Sequence, residues 1–123
     1  MKVIVYGTLK KGGLFSGYME DSEYVKDVVV TGFKMYDSKV GYPFVVESIE
    51  DECIQGEEYK IDSETLKKLD IVEGTQSGLY KRLDLRKVKK KIKEPTYIYV
   101  STLDRMTGFG LEPAEVKGGF WKV

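Results

Sequence analysis

Leu66, Leu69, Asp70 and Glu73 follow the spacing that places side chains on one face of a helix. The two leucines turn that face inward, so Glu73 stands where another leucine would be expected. It also falls in the last turn, where the helix dipole is negative. Burial and the dipole both disfavour the anion, and both raise the carboxyl pKa. A carboxylate needs that shift to exchange protons near neutral pH. The competing reading makes Glu73 a partly exposed end-of-helix residue paired with Lys81 or Arg82, and spacing alone favours it. Asp70 suits a structural ion pair with Arg82 or a loop-capping bond.

The question is sharpened by the absence of histidine from the 123 residues. The commonest general base and the commonest metal ligand are missing. Proton transfer then falls to a carboxylate of raised pKa, to a lysine or tyrosine of lowered pKa, or to Cys53, the single cysteine. Cys53 has no histidine to activate it and reads as a buried apolar residue rather than a nucleophile. With one cysteine a structural zinc site is not expected.

A second chemical feature lies near the start. The apolar run Val3-Ile4-Val5 breaks at Tyr6-Gly7 into the loop Thr8-Leu9-Lys10-Lys11-Gly12-Gly13. Gly7 removes a side chain where a ligand can approach the backbone. The N–H groups of Thr8, Leu9 and Lys10 can then form an anion-binding nest. A plain strand-to-loop turn is the alternative, and the better one for the loop taken alone. Gly7 and Gly12 have the spacing of a phosphate loop, but Gly13-Leu14 stands where Lys-Ser or Lys-Thr is required, so that motif is rejected.

These residues need elements to hold them. Lys2 to Tyr6, apolar on both faces, predicts a central strand. Gly7 to Gly17 predicts a loop, with a helical turn near Leu14 to Met19. Tyr24 to Tyr36 predicts one strand kinked at Gly32. A turn at Lys39 to Tyr42 leads to strands at Pro43 to Glu47 and Cys53 to Lys60. Ser63 to Glu73 is the clear helix, with Asp62 or Ser63 as N-cap, Glu64 in the first turn and Gly74 just past the end. Tyr80 to Val88 and Thr96 to Leu103 predict strands joined by a lysine-rich hairpin. Tyr97 and Tyr99 share a face, as core aromatics or as pocket lining. Gly118, Gly119, Phe120 and Trp121 fall in the tail. The pattern is α+β, a single domain over 1–123, with a barrel-like sheet and one main helix packed on it.

Composition sets the outer limits. Hydrophobic residues make up 41% and charged residues 33%, as in an ordinary globular chain, and the formal net charge is zero. No global field favours nucleic acid or an anionic membrane. Lys87, Lys89, Lys90, Lys91 and Lys93 then read as a solvated hairpin that deters edge pairing rather than as a nucleic-acid patch. No run reaches transmembrane length and no secretory segment follows Met1, so a cytoplasmic protein is expected.

Tyr6-Gly7-Thr8-Leu9, Gly41-Tyr42-Pro43, Gly56-Glu57, Leu69-Asp70, Glu73-Gly74 and Tyr80-x-Arg82 occur in that order. In this the chain resembles the γ-glutamylcyclotransferase superfamily, and within it the γ-glutamylamine cyclotransferase, or AIG2-like, branch. The resemblance runs from Val3 to about Val100. It implies a mixed, barrel-like sheet with a pocket at one end. It implies that Tyr6, Gly7, Thr8, Leu9 and Tyr80 bind a small γ-glutamyl substrate, and that Glu73 is the catalytic acid–base. The implied reaction releases 5-oxoproline and an amine without metal or cofactor. Rival readings are a non-catalytic pocket protein of the same fold and a nucleic-acid module using the lysine hairpin. The leaving amine and the oligomeric state stay open.

Overall fold

The computed structural model describes residues 1–48 and 51–123. β1 (Lys2–Val5) organises it. Successive side chains of a strand point to opposite faces. Val3 and Val5 therefore enter one apolar cluster with Tyr59, Tyr99, Leu66 and Leu69, while Ile4 and Tyr6 enter a second with Ile54, Ile98 and Val100. A strand apolar on both faces belongs inside a sheet. β1 indeed lies between β5 (Cys53–Lys60), antiparallel to it, and β7 (Thr96–Val100), parallel to it. β2 (Glu23–Thr31) and β6 (Lys81–Asp84) form the edges of this five-stranded mixed sheet, in the order β2-β5-β1-β7-β6.

The expected single strand over Tyr24 to Tyr36 is two strands in different sheets. Gly32 has a φ of 86°, in the left-handed region open to glycine, and turns the chain out of β2. β3 (Phe33–Asp37) then pairs with β4 (Pro43–Glu47) and β8 (Ala114–Glu115) in a second sheet, ordered β4-β3-β8. The Ser101 N–H donates to the Val45 carbonyl at 2.9 Å and links the sheets, which wrap into the barrel-like α+β form.

α1 (Ser63–Val72) packs Leu66 and Leu69 against this barrel. Burying each such side chain is worth about 1.5–3 kcal/mol. Of the two candidate N-caps, Asp62 caps: its Oδ1 accepts the Thr65 N–H at 2.8 Å. The C-terminus closes as the position of Gly74 predicts. Gly74 has a φ of 66°. Its N–H donates to the Ile71 carbonyl at 3.0 Å, and the Thr75 N–H donates to the Asp70 carbonyl at 3.1 Å, the paired bonds of a Schellman motif.

Two predicted strands are shorter than expected. β6 stops at Asp84, whose carboxylate accepts the Arg86 N–H at 3.0 Å and bends the chain into a 3-10 turn. β7 stops at Val100, because Thr102 caps a second helix, α2 (Leu103–Gly108), accepting the Arg105 N–H at 3.0 Å. α2 seals the barrel with Met106, which is fully buried. The lysine-rich segment does join β6 to β7 as an antiparallel pair. Cys53 is half-buried at the start of β5 rather than buried. No helix among the described residues is long and apolar enough to cross a membrane.

Candidate active site

The Schellman turn leaves Glu73 as the last residue before the chain reverses, with its side chain facing a cavity of about 290 Å³. Tyr6, Gly7, Thr8 and Leu9 line the cavity as the chain leaves β1, and Leu79 and Tyr80 line it as the chain approaches β6. All six residues singled out in the sequence therefore meet at one place. Tyr99 joins them from β7, Tyr42 and Pro43 from the start of β4, and Phe15 from beyond the loop.

Among the described residues Glu73 carries the only charged side chain on this lining. Burial pushes its carboxyl pKa up to about 7. The residue as a whole is half-buried because it borders the open cavity, but its carboxyl is crowded by protein atoms and held away from solvent. No cation answers it among the described residues. Arg82, a candidate partner in the sequence, donates instead to Asp70 Oδ2 at 2.7 Å. Asp70 Oδ1 also accepts the Tyr99 hydroxyl at 2.7 Å. Asp70 is thus held by an ion pair and a hydrogen bond, whereas Glu73 is desolvated with no charged partner among the described residues.

Tyrosines surround Glu73. Burial raises the pKa values of Tyr6, Tyr80, Tyr99 and Tyr42, and the negative charge of Glu73 raises each of them further. These hydroxyls stay protonated and can donate. The Tyr6 hydroxyl donates to the Tyr99 carbonyl at 2.7 Å, and the Tyr80 hydroxyl to the Pro43 carbonyl at 2.6 Å. Both are committed to the framework, so Tyr6 and Tyr80 offer the cavity their rings. The Tyr42 hydroxyl has no partner among the described residues and is free to meet a ligand.

The loop differs from the expectation in two respects. The Lys10 N–H is not free: it donates to the Gly7 carbonyl at 3.1 Å and closes the turn. The N–H groups of Thr8 and Leu9 bond to nothing among the described residues, so the displayed pair is Thr8 and Leu9. Gly7 is required by packing. A Cβ there would stand 2.6 Å from Pro43 Cγ. Gly13 is as tightly constrained, since its Cβ would stand 2.3 Å from the Thr8 carbonyl oxygen. The glycines therefore set the shape of a loop that leaves the Thr8 and Leu9 N–H groups without a hydrogen-bond partner among the described residues.

Phe15, Leu79 and Val72 were not singled out as lining residues in the sequence. Tyr42 was visible only inside the Gly41-Tyr42-Pro43 motif, with no signal for its hydroxyl. Of the tyrosine pair on β7, Tyr99 lines the cavity, while Tyr97 lies under the Arg82 guanidinium, 4.8 Å from it.

Comparison with known proteins places the chain in a family. The family model described as gamma-glutamyl cyclotransferase, AIG2-like, matches residues 3–122. A Methanocaldococcus jannaschii protein provisionally named a gamma-glutamylcyclotransferase is 36% identical over 74 residues, covering 58% of this chain and 60% of that protein. A Niallia circulans protein named gamma-L-glutamyl-butirosin B gamma-glutamyl cyclotransferase is 29% identical over 87 residues, covering 67% of this chain and 54% of that one. The chain thus matches little more than half the length of these curated relatives. Its fold is similar to that of a mouse AIG2-like protein, with a TM-score of 0.66, 21% identity, and coverage of 82% of this chain and 76% of that one. The chain belongs to the gamma-glutamyl cyclotransferase, AIG2-like family.

Proposed function

We propose that this protein is a γ-glutamyl cyclotransferase of the γ-glutamylamine type, converting a γ-glutamyl amide to 5-oxoproline and a free amine. The single observation that carries this reading is Glu73: one carboxyl with its pKa pushed up to about 7, no counter-cation, and a cavity shared with two unbonded amides.

The substrate α-carboxylate rests on the N–H groups of Thr8 and Leu9. Glu73 as carboxylate accepts a proton from the α-ammonium. The freed amine attacks the γ-carbonyl carbon of the same molecule, and the carbonyl π electrons move to oxygen. The Tyr42 hydroxyl is the available donor for that oxyanion. Collapse re-forms the carbonyl and breaks the bond to the leaving nitrogen, which takes the proton back from Glu73; the attacking nitrogen gives up its second proton to the departing amine, so 5-oxoproline keeps one N–H and the amine leaves as an ammonium. Nucleophile and electrophile belong to one molecule, so the protein's main task is to fold the substrate into a near-attack shape. A carboxyl titrating near neutrality is matched to both proton transfers. The uncharged remainder of the lining excludes water and keeps Glu73 desolvated.

In this reading the partner is a small molecule, the setting is the cytoplasm, and the lysine-rich segment is solvated surface rather than a nucleic-acid site. A panel of γ-glutamyl amides, including γ-glutamyl-lysine, γ-glutamyl polyamines and glutathione, tests it by 5-oxoproline release. Stoichiometric 5-oxoproline and amine from at least one member is expected. Binding without release throughout would leave a non-catalytic pocket protein.

A further inference from the structure

Lys10 is 4% exposed, although lysine is almost never fully buried unless it is paired. Its ammonium makes no ion pair among the described residues. Nζ donates to the Trp121 carbonyl at 2.6 Å and stands 3.9 Å from the centroid of the Phe120 ring. The main chain of the same residue closes the cavity loop: its N–H bonds to the Gly7 carbonyl at 3.1 Å, and its carbonyl accepts the Gly13 N–H at 2.8 Å. One residue therefore joins the amide-displaying loop to a segment more than a hundred positions away.

That segment is itself fixed. The Val116 N–H donates to the Met35 carbonyl at 2.9 Å. Gln55 Nε2 donates to the Gly118 carbonyl at 3.2 Å. Gly119 lies so close to β5 that a Cβ would stand 2.3 Å from the Cys53 carbonyl oxygen. A methionine would fill the space of Lys10 without desolvating a charge, so stability alone does not call for lysine here. An ammonium aimed at a carbonyl adds direction to the contact.

We propose that Lys10 is a positioning residue. Through the Trp121 carbonyl it anchors the loop on its outer side, and so holds the Thr8 and Leu9 N–H groups in place on the cavity side. The ligand part of this inference rests on the proposed function; the anchoring part does not.

Two variants test it: Lys10→Met and Lys10→Leu, neither of which can donate to the Trp121 carbonyl. The probes are 5-oxoproline for binding, a γ-glutamyl amide turned over by the wild type, and amide hydrogen exchange at Gly13 and Phe15. Those two N–H groups bond to the Lys10 and Thr8 carbonyls. Expected in both variants are faster exchange at Gly13 and Phe15, and a rise of about ten-fold in the 5-oxoproline Kd and in KM. The kcat should stay within about three-fold, because Glu73 is untouched. Unchanged exchange at Gly13 and Phe15 in either folded variant would overturn the proposal, as would a loss confined to kcat. A wild type that neither binds 5-oxoproline nor turns over any amide would defeat the functional reading, and the exchange measurement would still decide the anchoring.

Discussion

Glu73→Gln should make the protein more stable, and by an amount that depends on pH. In the folded state burial raises the carboxyl pKa from its ordinary 4.5 to about 7. At about 1.4 kcal/mol per pH unit, ionising Glu73 in the fold costs on the order of 3 kcal/mol relative to ionising it in the unfolded chain. The sign follows from the direction of the shift. A group whose folded pKa is raised contributes fully below its unfolded value, and that contribution is lost as pH rises through the folded value. Wild type and variant should therefore be nearly equal in stability near pH 4.5. The gap should widen in favour of the variant up to about pH 7 and stay constant above it. Gln keeps the shape and does not titrate, so the difference between the two proteins isolates this one group. Urea unfolding from about pH 4.5 to about pH 8 measures it as a change in midpoint at constant slope. A stability difference between the two proteins that does not change with pH across that range would refute the claim that Glu73 is a desolvated, unpaired carboxyl.

Two further outcomes follow from the same geometry. Gly13→Ala should deform the loop against the Thr8 carbonyl and Gly7→Ala should push on Pro43, with stability losses of about 1–3 kcal/mol and weaker 5-oxoproline binding in each, read by denaturation and calorimetry. Replacing Lys89, Lys90 and Lys91 together with Gln should change stability by less than about 1 kcal/mol and leave turnover intact; a salt-sensitive loss of turnover or of nucleic-acid binding would revive the rival reading.

What was legible in the sequence is what short-range physics controls. The Schellman close at Gly74 depends on residues within one turn, and the central position of β1 depends on a run apolar on both faces. The aim of Glu73 into a cavity was not settled by its spacing, which favoured an exposed residue paired with Lys81 or Arg82; only the family resemblance pointed to the pocket. The cavity's far wall was not legible, because Tyr42, Pro43, Phe15 and Leu79 arrive from separate segments and their meeting is a property of the closed barrel. The start of α2 hangs on one Thr102 cap, and a β-like run ending in Val100 masks it. Gly7 was read as leaving room for a ligand, whereas the Pro43 ring fills that room, since packing partners distant in sequence leave no local trace. The bond of Lys10 to Trp121 is hidden for the same reason.

The most direct test of the account is the rate of 5-oxoproline release by Glu73→Gln, on an amide that the wild type turns over. The amide side chain cannot accept the α-ammonium proton or return it to the leaving nitrogen. A general acid–base group contributes about 10²–10⁴-fold, and Glu73 serves in both steps, so the loss should lie at or beyond about 10⁴-fold. The variant should remain folded and still bind 5-oxoproline. A folded Glu73→Gln protein that releases 5-oxoproline at close to the wild-type rate would contradict the assignment of Glu73 as the proton carrier.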